Sequence, residues 1–232
     1  ESQANVLELA PLVHLADRLP LSGELRKTLV GYAPAGSVYD LAVSWNGAWP
    51  DLTSYSVRGR FNELSLRQHG KAPGFSGFSG HLEGTEIGCI LRVQTQKAAL
   101  ELPEIFRERM RFDSLAGQLA WTRDTQGLEL RFGNFVFANA DLAGTLSGSY
   151  RLAADGPGVA DLAGQLTRGI AQRMSSYLPV TLGAATREWL DRAPAAGASN
   201  DVRLRLKGDL KDFPFVDERG GEVVLLVVAV DL

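Results

Sequence analysis

Between Val38 and Leu152 apolar and polar residues alternate with a period of two, interrupted by glycines and by single-residue slips of phase. Val57, Gly59 and Phe61 alternate with Arg58 and Arg60; Cys89, Leu91 and Val93 alternate with Arg92 and Gln94; Leu128, Leu130 and Phe132 alternate with Glu129 and Arg131. A period of two places successive side chains on opposite faces of a strand, so these segments have one apolar face and one wet face. After Phe132 the apolar phase jumps to Phe135 and Phe137 across Gly133-Asn134, which predicts a bulge or tight turn and a bend in the sheet. The expected fold class is mainly β with a few short helices: a long curved antiparallel sheet, groove-like or partly closed in the manner of a barrel, bracketed by helices.

The flanks have a different rhythm. Leu9, Leu12, Val13, Ala16 and Leu19 recur at helical spacing, with Pro11 acceptable in a first turn. Ser22 is placed to cap a second helix carrying Leu25, Leu29 and Tyr32, which Pro34 and Gly36 end. A later patch joins Ile170, Met174, Tyr177 and Leu178, is interrupted by Pro179, and resumes from Ala185 to Ala193 through Trp189 and Leu190 before residues 194–197 end it. Strand rhythm then returns in Val202, Leu204 and Leu206, and the run from Val223 to Val230 reads as a buried strand. That run is too short for a bilayer span, which takes about 20 apolar residues. The expected division is a helical segment at 1–36, a curved sheet at 37–168, a helical segment at 169–197 and a further, truncated β segment at 198–232. Glu1 opens the chain with no basic-then-apolar leader, so the expectation is a piece cut from a longer protein.

An internal echo runs through Phe78-Ser79-Gly80-His81-Leu82, Leu115-Ala116-Gly117-Gln118-Leu119, Leu142-Ala143-Gly144-Thr145-Leu146 and Leu162-Ala163-Gly164-Gln165-Leu166. Each copy sets a glycine between two apolar residues of the same face. Unequal spacing between the copies rules out a fixed-period solenoid. A glycine on an inward face marks a place where the sheet curves or where another group approaches the backbone closely.

Chemistry-bearing motifs are sparse. His14, His69 and His81 show no HExxH pair or metal-ligand spacing, and the single cysteine, Cys89, forms no CxxC and reads as a buried thiol in a strand. The stretch Pro73-Gly74-Phe75-Ser76-Gly77-Phe78-Ser79-Gly80 lacks the lysine of a phosphate loop and the GxSxG spacing of a nucleophile elbow; it reads as a loop entering a strand. Asp40, Asp51, Glu83 and Glu86 are scattered and form no acid–base pair. Arg107, Arg109 and Arg111 have acidic neighbours and read as a solvated face, with an anion site or contact with lipid headgroups as the alternatives. A net charge of -3 gives no basic surplus for nucleic acid. The expectation is a chain with no catalytic residues, metal or cofactor, and no nucleic-acid partner.

The ordered set Pro73 to Gly80 with Leu82, Gly84 and Glu86, then Leu102-Pro103 with Phe106, then Phe112-Asp113-Ser114-Leu115-Ala116-Gly117-Gln118-Leu119-Ala120-Trp121, resembles the central region of YhdP-type AsmA-like proteins. Asn139 and Asp141 with Gly144 and Gly148, Tyr177-Leu178-Pro179, Thr186-Arg187-Glu188-Trp189-Leu190, Leu206-Lys207-Gly208-Asp209-Leu210 and Asp212-Phe213-Pro214-Phe215 continue that order over nearly the whole chain. The resemblance implies a very long protein with one amino-terminal helix in the inner membrane and a periplasmic body. It implies a curled sheet whose concave apolar face carries phospholipid acyl chains toward the outer membrane, with membrane contact through other parts of the parent protein and no catalytic residues. Candidate lipid-lining residues are Val57, Phe61, Leu91, Val93, Leu115, Leu119, Leu128, Leu130, Phe132, Phe135, Phe137, Leu142, Leu146, Val202, Leu204 and Leu206. The same pattern also fits a closed core in an assembly module of the envelope that binds another protein.

Overall fold

The computed structural model describes residues 1–15, 22–48, 51–124, 127–153, 156–170, 173, 176–177, 198–212, 215 and 221–231. They form one eleven-stranded antiparallel sheet whose spatial order is the chain order, a pure meander. The strands are β1 (Ser2–Glu8), β2 (Ala35–Ala48), β3 (Asp51–Leu66), β4 (Gly74–Thr85), β5 (Gly88–Glu101), β6 (Met110–Asp124), β7 (Gly127–Ala138), β8 (Leu142–Leu152), β9 (Val159–Ile170), β10 (Ala198–Asp209) and β11 (Gly221–Asp231). Two short helices, α1 (Ala10–Leu15) and α2 (Gly23–Tyr32), lie between β1 and β2. The sheet is curved and not closed into a barrel. At about 4.8 Å between neighbouring strands, it extends about 48 Å perpendicular to them.

Bends are built into individual strands. Asp40 in β2, Glu63 in β3, Lys97 in β5 and Asn134 in β7 adopt positive φ of 50°, 50°, 55° and 47°, and Gly77 in β4 has φ 73°. Left-handed residues inside strands are bulges, and each one turns its strand and increases the local twist. The slip at Gly133-Asn134 is one of them: the β7 register on β8 shifts between Phe132 and Phe135, which brings both rings to one face at a centroid distance of 6.1 Å.

The surface is large for the mass. The accessible area is 15026 Å² for 25.1 kDa, whereas a compact monomer of that mass exposes about 10,300 Å². Among the described residues no large side chain is fully buried, because a single sheet covers its apolar face only at the bends.

Several expectations are corrected. Ser2–Glu8 is a strand, paired with β2 through Ala4↔Leu41 and Leu7↔Val38, so the helices sit inside the sheet's connectivity and do not bracket it at the amino-terminal end. The glycine-rich stretch at 74–80 is part of β4, and its bulge at Gly77 sets Phe75 and Phe78 in edge-to-face contact at 5.3 Å. Residues 198–231 do not begin a separate β segment: β10 pairs with β9 along Ala198↔Ile170 to Asp209↔Val159 and prolongs the same sheet. The apolar run at 223–230 lies in an edge strand, where Val223 and Val224 are each 42% exposed because β11 has a hydrogen-bonded neighbour on one side only. In the second helical patch, Met174, Leu178, Pro179 and everything from Ala185 to residue 197, including Trp189 and Leu190, lie outside the described residues.

Candidate functional site: the apolar face of the sheet

Cross-strand partners point to the same face, so the register can be read across the sheet as transverse rows. One row runs Phe61, Gly80, Val93, Gly117, Phe135, Leu146, Gly164 and Leu204, from β3 to β10. A second runs Gly59, Leu82, Leu91, Leu119, Phe132, Gly148, Leu162 and Leu206. A third runs Val57, Gly84, Cys89, Trp121, Leu130, Tyr150 and Ala160. A fourth runs Thr95, Leu115, Phe137, Gly144, Leu166 and Val202. Leu128 and Leu142 extend the same face, two residues along their strands from Leu130 and Gly144. All sixteen candidate lining residues therefore share one face.

They differ in cover. Phe61, Val93, Leu115 and Leu142 are buried, Leu204 is 42% exposed, and the other eleven are half-buried. Extensive contacts join only neighbouring strands, so no second layer packs over this face among the described residues. Trp121 and Tyr150, which the sequence reading did not name as lining residues, also belong to the face, and the signal was present: each continues the two-residue period of its strand, after Leu119 and Gly148.

The four echo glycines, Gly80, Gly117, Gly144 and Gly164, all lie on this face, opposite large apolar partners. A Cβ on Gly117 would fall 2.6 Å from Cγ of Phe135, and one on Gly80 would fall 3.0 Å from Cζ of Phe61. The Phe135 ring fills the space over Gly117, and the Phe61 ring reaches Gly80 beside the Arg92 carbonyl oxygen, whereas the nearest atoms to Gly144 and Gly164 are the carbonyl oxygens of Gln165 and Thr145; these close approaches let the sheet coil while the face stays apolar.

The opposite face is ionic. Arg131 Nε and Arg151 NH2 meet the Glu129 carboxylate at 2.9 and 2.8 Å, Arg205 meets Asp161 at 2.6 Å, and Arg60 pairs with Asp40. The hydrogen bond from Arg131, with the positive charge of Arg131 and Arg151, holds the Glu129 carboxyl below its ordinary range despite its partial desolvation. Cys89 is half-exposed on the apolar face, a correction to the expected buried thiol, and burial still pushes its pKa up, so it is a poor thiolate. His69 sits in the predicted turn against Tyr32 of α2, with ring centroids 5.9 Å apart, and His81 faces outward.

At the rim where β7 turns into β8, two stretches distant in sequence meet. Asn139 is buried: its Oδ1 accepts from the Asp141 and Leu142 amides at 2.9 and 2.8 Å, and its Nδ2 donates to the Arg111 carbonyl and to Tyr177 Oη at 2.7 and 2.9 Å. Tyr177 Oη donates to Asp141 Oδ2 at 2.9 Å, which Arg173 also approaches at 3.4 Å. Burial, followed by the bond to the Asp141 carboxylate, raises the Tyr177 pKa. This clasp fixes Arg173 and Tyr177 to the strand ends.

Among the described residues no group of three or more His, Cys, Asp or Glu is placed to hold a metal, and no helix is long and apolar enough to cross a membrane. The family model described as YhdP protein matches residues 1–231. No curated protein and no solved structure matches the chain.

Proposed function

The chain belongs to the YhdP family, and from that premise we propose that it is a non-catalytic segment of an envelope-spanning lipid-transfer protein, carrying phospholipid acyl chains along the apolar face of its sheet. In this reading the segment stands in the periplasm, as part of a protein anchored in the inner membrane, and passes lipid between inner and outer membranes. The observation that carries it is the continuous apolar face, over which no second layer packs among the described residues, about 48 Å along the strand-stacking direction, compared with about 15 Å for the acyl depth of one leaflet. An apolar face of this extent needs a cover. Acyl chain supplies one at about 0.8 kcal/mol per buried methylene, so ten methylenes contribute roughly 8 kcal/mol with no headgroup contact. The alternative of a closed module binding another protein loses support from the open sheet.

The test is mass spectrometry of lipid extracted from the purified chain. Phospholipid is expected with the wild type and is expected to be lost from a variant carrying Leu130→Glu, Phe132→Glu and Phe137→Glu. A carboxylate set against hydrocarbon costs about 2.5–3.5 kcal/mol, whereas on a half-open face it can still reach water in the lipid-free protein. Unchanged circular dichroism in the variant separates lost lipid from lost fold. A lipid-free wild type, or a folded variant that keeps its lipid, rejects the proposal.

A further inference from the structure

Around β3 to β6 the two rims differ in charge: the connections 67–73 and 102–109, on one rim, carry Arg67, Lys71, Arg107 and Arg109 against Glu104 and Glu108, and the connection 86–87, on the other, carries Glu86. On the basic rim a shallow hollow is bounded by Ser76, Lys97, Arg109, Arg111 and Asp113, with Ala98, Ala99 and Phe112 beneath. It forms where the Gly77 and Lys97 bulges face each other across β4 and β5. Arg109 is held there, with NH2 donating to Ser76 Oγ at 2.6 Å and Nε 3.2 Å from Glu101. Lys97 and Arg111 are exposed and have no ion-pair partner among the described residues, and neither has Asp113.

The hollow also adjoins the groove. Along β6, Asp113 and Arg111 stand two and four residues before Leu115, in the phase of the apolar face, and Arg111 pairs with Ala99, which pairs with Ser76. A group seated between Lys97 and Arg111 is thus about 7–14 Å along the strand from Leu115 of the apolar face.

Resting on the lipid reading above, we propose that Lys97, Arg111 and the Ser76-anchored Arg109 form a phosphate site, which holds the phosphodiester of a lipid whose acyl chains lie on the apolar face. Unpaired cations beside a hydroxyl suit a phosphate's acceptor oxygens. The site would make this segment prefer phosphate-bearing lipid over neutral lipid with the same chains. It also assigns the headgroups to the rim of the 67–73 and 102–109 connections.

The experiment incubates the chain with vesicles containing dioleoyl phosphatidylglycerol and dioleoylglycerol in equal amounts and measures the ratio retained by the protein. Each cation near an anionic lipid is worth about 1 kcal/mol, or about fivefold, so the retained ratio is expected to fall about 5- to 30-fold in Lys97→Gln/Arg111→Gln while total diacyl lipid stays constant. Asp113→Asn removes the unpaired acid and is expected to raise the ratio. Diacyl lipid retained at the same ratio by wild type and both variants overturns the phosphate site and leaves the groove standing. No diacyl lipid on the wild type overturns both. A parallel calorimetric titration with inorganic phosphate separates the sources: variant-sensitive phosphate binding with an unchanged lipid ratio assigns the hollow to free phosphate and overturns its role in lipid binding.

Discussion

Gly117→Ala provides a quantitative test of how the curved face is packed. The added Cβ would lie 2.6 Å from Phe135 Cγ, 2.7 Å from Cδ1 and 2.8 Å from Cα, so rotating the ring does not clear it; either β7 must move or the bulge after Phe132 must open. Overpacking of this kind costs about 1–3 kcal/mol, and contact with both ring and backbone sets the expectation near 2 kcal/mol. For a chain of this size that lowers Tm by about 4–8 °C, and with an m-value of about 3 kcal/mol/M it lowers the urea midpoint by about 0.7 M. Gly133→Ala is the control. Its Cβ would meet only Gln118 atoms at 3.5 Å, its φ is not left-handed, and the expected change is a gain of about 0.4–1 kcal/mol. In a double-mutant cycle with Phe135→Ala, removing the ring is expected to recover about 1 kcal/mol of the Gly117→Ala cost. A Gly117→Ala protein within about 0.5 kcal/mol of wild type, or a cycle that is additive, would refute the account of glycines seated under rings.

The rim clasp and the ionic face give two further expectations. Tyr177→Phe removes the hydroxyl shared by Asp141 and buried Asn139; it is expected to cost about 1–2 kcal/mol in urea unfolding and to speed amide exchange at Ile170, whose N–H donates to the Asp141 carbonyl. Unchanged exchange there would show that the clasp does not hold the strand ends. Because the folded pKa of Glu129 lies below its unfolded value of about 4.3, its stabilisation is complete above that value and is lost as pH falls through the folded pKa. Glu129→Gln is expected to lessen the drop in urea midpoint between about pH 6 and about pH 3; an identical acid limb in both proteins would show that the carboxylate is not stabilised in the fold.

Strand content and facing were legible because alternation is local. Leu128, Leu130 and Phe132, the phase jump to Phe135, and the echo glycines reported their own side of the sheet without knowledge of any partner strand. β1 was not legible: its inward residues Ala4 and Leu7 are three apart, and a spacing of three carries no strand signature. The glycine-rich start of β4 was read as a loop because Gly77 breaks the period, a break that takes the facing Lys97 bulge to interpret. The Asn139–Tyr177 clasp joins residues 38 positions apart, and neither residue type alone marks such a contact.

The sequence by itself determined that the chain builds strands with one apolar face, most of the residues that occupy it, and which family it resembles, since side-chain period and ordered motifs are properties of the chain read in line. Only the tertiary structure decided whether that face is covered. An alternating strand is equally suited to a closed core and to an open groove; the choice depends on which strands pair, how far the bulges bend them, and whether the last strand returns to the first. Here every strand pairs with its neighbours in chain order and the sheet does not close, so among the described residues the apolar face has no second layer over it.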